Sequence, residues 1–271
     1  MSREKTRIRK AIIKIREFAL KKRVLVLSTI WAILLIASLL FVSLLKSSLV
    51  FDSDSAIIKS GTWSGYIINN EYNGNHPVTS ITAKWKIPEV DANHSDAYSS
   101  AWIGIGDQSE KTLIQIGTEH DSLSRKENYR AWYEILPALS ITITDFTMNP
   151  GDTIFASIEL ADAYQSIWII QLNDTSNGKT FTKSIQYNSI RSSGEWIVER
   201  PTVNGRVSSL TDFGKITFMN CTLGLGGQVV TLGELLYSRV EMTNDIAVPL
   251  TSVSGLSVEG SSFTVEYVEV E

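Results

Sequence analysis

An all-β domain, a sandwich or a barrel, preceded by one transmembrane helix is the architecture this sequence predicts. Three observations predict it. Val24 to Leu45 runs for 22 residues without a charge. Beyond residue 60, apolar and polar residues alternate in many short runs, the period-2 signature of half-buried strands. Turn residues punctuate those runs, and no stretch after residue 50 carries the 3.6-residue periodicity of a long amphipathic helix.

The uncharged segment comes first. At ~1.5 Å rise per residue, a helix over 24–45 spans a hydrocarbon core of ~30 Å. It is longer than a secretory apolar region of ~7–15 residues, and no small-x-small cleavage site follows it, so an uncleaved anchor is expected. Ten basic and two acidic residues occupy positions 1–23. The positive-inside rule then sets a basic cytoplasmic arm (1–23), a membrane helix (24–45), and everything after it outside the cytoplasm. Residues 46–60, rich in Ser and Asp, read as a polar tether to a single domain over 61–271.

Within that domain Ile81, Ala83, Trp85 and Ile87 alternate with Thr82, Lys84 and Lys86 until Pro88 ends the run. Residues 153–160, 166–172, 195–199, 215–219 and 262–270 also read as strands. Asn149-Pro150-Gly151-Asp152, Asn173-Asp174, Asn177-Gly178, Ser193-Gly194, Asn204-Gly205 and Gly226-Gly227 mark turns between them. No internal repeat or low-complexity linker divides the segment.

Charge and side-chain inventory exclude several functions. The whole chain has a formal charge of -4, but residues 51–271 hold 14 basic and 27 acidic residues. An acidic domain is not a nucleic-acid partner. The lone cysteine, Cys221, permits no intrachain disulfide and no thiolate-cluster metal site. His76, His94 and His120 lack paired metal-ligand spacing and read as surface or loop histidines.

Two strands break the apolar pattern. Gln115 sits inside the run Thr112–Gly117, and Glu195 and Glu199 flank Trp196-Ile197-Val198. Period 2 places Glu195, Ile197 and Glu199 on one face and turns Trp196 and Val198 to the core. By pattern alone, Gln115 and Glu195 read as ordinary outer-face polar residues of an antiparallel sheet.

Longer motifs change that reading. Trp63-Ser64-Gly65-Tyr66, Ala101-Trp102-Ile103-Gly104-Ile105, Leu113-Ile114-Gln115-Ile116-Gly117, Ala131-Trp132-Tyr133-Glu134, Pro150-Gly151-Asp152, Glu195-Trp196-Ile197-Val198-Glu199-Arg200 and Leu210-Thr211-Asp212-Phe213-Gly214 occur in that order. In these the chain resembles the glutamic peptidases, the eqolisin family. The resemblance implies an antiparallel, concanavalin-like sandwich of two long sheets with an active site on a concave face. It implies a catalytic pair, Gln115 and Glu195, with Glu199 as the fallback for the carboxylate. It implies that Trp102 and Glu134 line the substrate groove, with Asp107 and Glu119 as weaker candidates. It calls for polypeptide substrates and for no metal or cofactor. Ile135-Leu136-Pro137 departs from the family pattern, so substrate pockets do not carry over.

The chemistry is coherent on its own. A carboxylate can take a proton from water and return it to a leaving nitrogen. An ordinary Glu, with a pKa of about 4.3, serves as a base in mild acid. A Gln side-chain NH2 can donate to the oxyanion of a tetrahedral intermediate. Two other functions compete: a non-catalytic module that binds carbohydrate or peptide, and a glycosidase using Glu195 and Glu199. Those two carboxylates stand on one strand face, roughly 6.6 Å apart at Cα, rather than flanking a scissile bond.

Overall fold

The computed structural model describes residues 57–92, 95–107 and 111–269. The basic arm, the predicted membrane helix and residues 46–56 of the tether lie outside these. Among the described residues no helix is long and apolar enough to cross a membrane.

Eighteen strands follow one another in this part of the chain. The first nine are β1 (Ile57–Ser60), β2 (Trp63–Asn69), β3 (Val78–Lys86), β4 (Ser100–Gly106), β5 (Leu113–Leu123), β6 (Lys126–Ile135), β7 (Ile141–Ile143), β8 (Thr153–Asp162) and β9 (Ile167–Asp174). The rest are β10 (Thr180–Gln186), β11 (Ser193–Glu199), β12 (Thr202–Val203), β13 (Arg206–Val207), β14 (Lys215–Leu225), β15 (Gln228–Thr231), β16 (Tyr237–Met242), β17 (Thr251–Val253) and β18 (Phe263–Tyr267). The helical elements among the described residues are two short 3-10 turns, Asn70–Asn73 and Leu232–Glu234.

Two large sheets result, one in the order β1-β16-β2-β11-β4-β5-β6-β7 and the other β10-β9-β8-β3-β14-β18-β17. All pairings are antiparallel except β1 with β16. The strand β1 is the end of the segment read as tether. Ile57 to Ser60 pair with Arg239 to Met242, and Lys59 reaches Glu241 at 2.7 Å. Edge pairing of a short apolar run overrides the polar composition around it.

The inner faces follow the alternation in the sequence. Ile81, Ala83 and Trp85 of β3 pack against Ile103 of β4 and Trp196 and Val198 of β11, all of them buried. Each large indole buried here finds an acceptor, as a buried N–H requires: Trp196 donates to the Thr82 carbonyl, Trp168 to that of Tyr187, and Trp85 to Thr118 Oγ1, each at 2.9 Å. Asn204-Gly205 and Gly226-Gly227, all four at positive φ, join β12 to β13 and β14 to β15 as two-residue hairpins, the geometry such turns need.

Two side chains depart from expectation. His120 is fully buried, its Nε2 2.8 Å from Thr118 Oγ1, rather than on the surface or in a loop. It occupies the core-facing phase of β5, whose register the sequence alone leaves open. Cys221 lies within β14, in the core, beyond the 215–219 run that the sequence marks as strand.

Candidate active site

Residues paired across neighbouring strands project to the same face of a sheet. On the outer face of the first sheet, one cross-strand row reads Ile67 (β2), Glu195 (β11), Gly104 (β4), Gln115 (β5), Glu134 (β6). Glu195 and Gln115 therefore share a face and a row. They are not on neighbouring strands: β4 runs between them, so their backbones stand roughly 9.6 Å apart.

Gly104 makes that spacing useful. A β-carbon there would come within 3.1 Å of Glu195 Oε2 and 2.9 Å of both Trp102 Cζ3 and Leu113 Cδ1. The carboxylate thus leans into the space that the missing side chain leaves, towards Gln115. Glu195 and Gln115 are only 3% and 5% exposed. The Gln115 Nε2 donates to Glu134 Oε2, while its Oε1 is buried with no hydrogen-bond partner. Burial pushes the Glu134 carboxyl above its ordinary value. Hydrogen bonds from Gln115 and the Ser140 backbone oppose that shift, and the nearby Glu119 charge adds to it.

One row along the strands are Gly65, Ile197, Trp102, Gly117 and Trp132. Trp102 is fully buried, and a β-carbon on Gly117 would stand 2.5 Å from Trp102 Cβ. Its Nε1 donates to Glu199 Oε2 at 2.8 Å, and the Trp63 ring meets it edge-on at 5.2 Å. With Leu113, Trp132 and Ile197 it forms an apolar cluster separate from the core between the sheets. Trp102 is thus packed into the outer-face apolar cluster, and Glu199 accepts its indole N–H.

The next row carries Trp63, Glu199, Ser100, Glu119 and Arg130. Arg130 bonds Glu119, and its Nη2 lies 3.6 Å from Oδ2 of the buried Asp121. Burial, then the charge of Glu119, pushes the Asp121 carboxyl up to about 7 against the pull of Arg130, and burial also raises Glu119. Asp107 stands apart from the rows. Its Oδ2 accepts from the backbone N–H and hydroxyl of Thr112 and shapes the turn before β5. Among the described residues, no three His, Cys, Asp or Glu side chains come together as metal ligands.

Sequence reasoning missed three participants: the gap at Gly104, the Arg130–Asp121 contact, and the direct Glu134–Gln115 bond. Glycines at period-2 spacing in Gly104-Ile105-Gly106, with Gly117 on the partner strand, were the available signal.

Comparison with known proteins places the chain in a family. Aspergillopepsin-2 of Aspergillus niger is 26% identical over 231 residues, 77% of this chain and 78% of that protein. Scytalidopepsin B of Scytalidium lignicola is 23% identical over 229 residues, 80% of this chain and 81% of its own length. A scytalido-glutamic peptidase solved with a peptide-based transition-state analogue superposes with a TM-score of 0.64 at 21% identity, over 77% of this chain and 99% of that one. The aspergilloglutamic peptidase of Aspergillus niger superposes at 0.56 with 29% identity, over 64% and 99%. The family model for Peptidase A4 matches residues 61–267, a span that holds both sheets except the edge strand β1, and every row of the outer face. By that match the chain belongs to the Peptidase A4 family and is a glutamic-type endopeptidase, a hydrolase of peptide bonds.

Proposed function

We propose that the chain hydrolyses polypeptides in acid with Glu195 and Gln115 as its catalytic pair. The supporting observation is the shared row across Gly104, with the Glu195 carboxylate leaning over the glycine towards Gln115. A peptide laid over Gly104 would set its carbonyl between the two groups. Glu195 takes a proton from a water as the water oxygen attacks the carbonyl carbon. The carbonyl oxygen gains the charge and accepts a hydrogen bond from the Gln115 NH2. Glu195 then returns the proton to the amide nitrogen, and the C–N bond breaks. Trp102 and its apolar cluster floor the groove, where they exclude bulk water around the single attacking water and strengthen each polar contact.

The test uses the full chain against a denatured protein between roughly pH 2 and 7, across the titration of an ordinary Glu. Glu195→Ala should lower kcat/KM by ~10²–10⁴ and Gln115→Ala by ~10²–10³. If both variants cleave as fast as wild type, the pair is wrong. A non-catalytic binding module would instead leave every form inactive.

The domain is further proposed to work outside the cytoplasm, held to the membrane by Val24–Leu45 with the N-terminus inside. The 22 uncharged residues and the ten basic residues before them support this. Alkaline carbonate should leave the full chain in the membrane pellet. Release into the supernatant would refute the anchor.

A further inference from the structure

Glu134 touches the end of the Gln115 amide that oxyanion binding requires. The Gln115 Nε2 donates to Glu134 Oε2, on the β6 side of β5. The other end of the same amide, Oε1, is buried without a hydrogen-bond partner. The two ends of a carboxamide have nearly the same shape, so the neighbouring donors and acceptors decide which way it faces. An ionised carboxylate only accepts, and it can hold only the NH2 end. A carboxylic acid has an O–H to donate, and it can hold the carbonyl end.

We propose that Glu134 is a positioning residue for Gln115, and that its protonation selects which end of the amide faces the cleft. Ionised Glu134 draws the NH2 towards β6 and leaves Oε1 facing Glu195. Protonated Glu134 donates to Oε1, which gives that buried oxygen a partner, and turns the NH2 towards the substrate carbonyl. The active form then pairs a protonated Glu134 with an ionised Glu195, and alkali inactivates the enzyme by withdrawing the oxyanion donor. This rests on the assignment of Gln115 as that donor.

The surroundings favour the protonated form. From β5 Glu119 faces Glu134 as a like charge, and burial pushes the Glu134 carboxyl up. From β11 the second carboxylate of the row, Glu195, lies beyond Gly104. From β4 comes Gly104 itself, without charge. On β6 Arg130 lies four residues away and is engaged by Glu119 and Asp121. From the approach to β7 the Ser140 backbone donates to Glu134 and favours the anion.

The decisive variant is Glu134→Gln in the full chain. Its side chain can hold the Gln115 carbonyl at any pH. In wild type, kcat/KM should fall about tenfold per pH unit beyond its alkaline midpoint. In Glu134→Gln that limb should move up by a unit or more while the acid limb stays in place. The second readout is the Gln115 side-chain amide resonance in 15N-labelled protein, identified by its loss in Gln115→Ala. It should titrate with the alkaline midpoint in wild type and stay flat in Glu134→Gln. An alkaline limb and an amide titration that persist unchanged in Glu134→Gln would overturn the proposal. The resonance is read without turnover, so an inactive wild type would defeat the peptidase assignment and still leave the amide titration to decide this one.

Discussion

The Oε2 atom of Glu195 lies 3.1 Å from the point where a β-carbon on Gly104 would stand. The carboxylate occupies the volume that a side chain on β4 would fill, so Glu195 of β11 reaches over the intervening strand.

Gly104→Ala tests that relationship directly. The new methyl would also press on Trp102 Cζ3 and Leu113 Cδ1, both at 2.9 Å. Overpacking of this kind costs ~1–3 kcal/mol. A displacement of the base by about 1 Å costs ~10²-fold in rate. The expected outcome is a folded protein, by thermal melt, with kcat reduced well beyond what its lost stability explains. Wild-type kcat in Gly104→Ala would show that the gap is incidental.

Trp102→Phe should remove the indole N–H from Glu199, now bound at 2.8 Å. Glu199 then keeps its half-buried setting with one donor fewer, at a cost of about 1 kcal/mol. Glu199→Gln should cost less, because an amide oxygen still accepts from Nε1. Urea unfolding of the two single variants and the double variant measures the coupling. Fully additive losses would mean that the bond contributes nothing.

Two adjacent residues of β5 predict opposing pH dependences. Burial lowers the His120 pKa to about 3, and burial with the Glu119 charge raises Asp121 to about 7. The buried neutral His120 stabilises the fold above the ordinary histidine value of about 6.5. That stability drains away as pH falls from there to about 3. The buried neutral Asp121 does the reverse. Its contribution is complete below about pH 4 and is lost as pH rises to about 7. Between roughly pH 4 and 6.5 the two slopes cancel.

Asp121→Asn should unmask the histidine. Relative to wild type, the variant gains stability as pH rises from about 4 to 7, by on the order of 2–4 kcal/mol. Its own stability should fall as pH drops across the same window. Chemical denaturation at half-unit pH steps shows this. A constant difference between variant and wild type would mean that Asp121 ionises normally in the fold.

Arg130→Met keeps much of the side-chain bulk and removes the cation beside Glu119 and Asp121. Both carboxyls lose their opposing charge, so the penalty should grow with pH as they ionise. Stability should drop more at pH 7 than at pH 4. An equal loss at both would assign Arg130 a packing role only.

The all-β class was legible because alternation is a local property. Ile81, Ala83 and Trp85 turned inward as their period-2 spacing required, and Trp196 and Val198 fixed the outward face of Glu195 without any knowledge of the partner strand. Asn204-Gly205 and Gly226-Gly227 were legible as turns because positive φ is a property of the residues themselves. Gln115 and Glu195 stood out as polar residues in apolar strands, and their motifs carried the family.

Tertiary structure decided the rest, because strand order and register are set by contacts between residues far apart in the chain. Nothing in the local sequence places β4 between β5 and β11, so the role of Gly104 as the gap between Glu195 and Gln115 could not be read. The contact of Glu134 with Gln115 depends on the β5–β6 register. His120 and Asp121 are neighbours in sequence and face opposite sides of one strand, so only packing against both faces decides that each is buried. The sequence by itself determined which side chains share a face, through the two-residue repeat of an extended chain. Which of them meet was decided by the folded sheets.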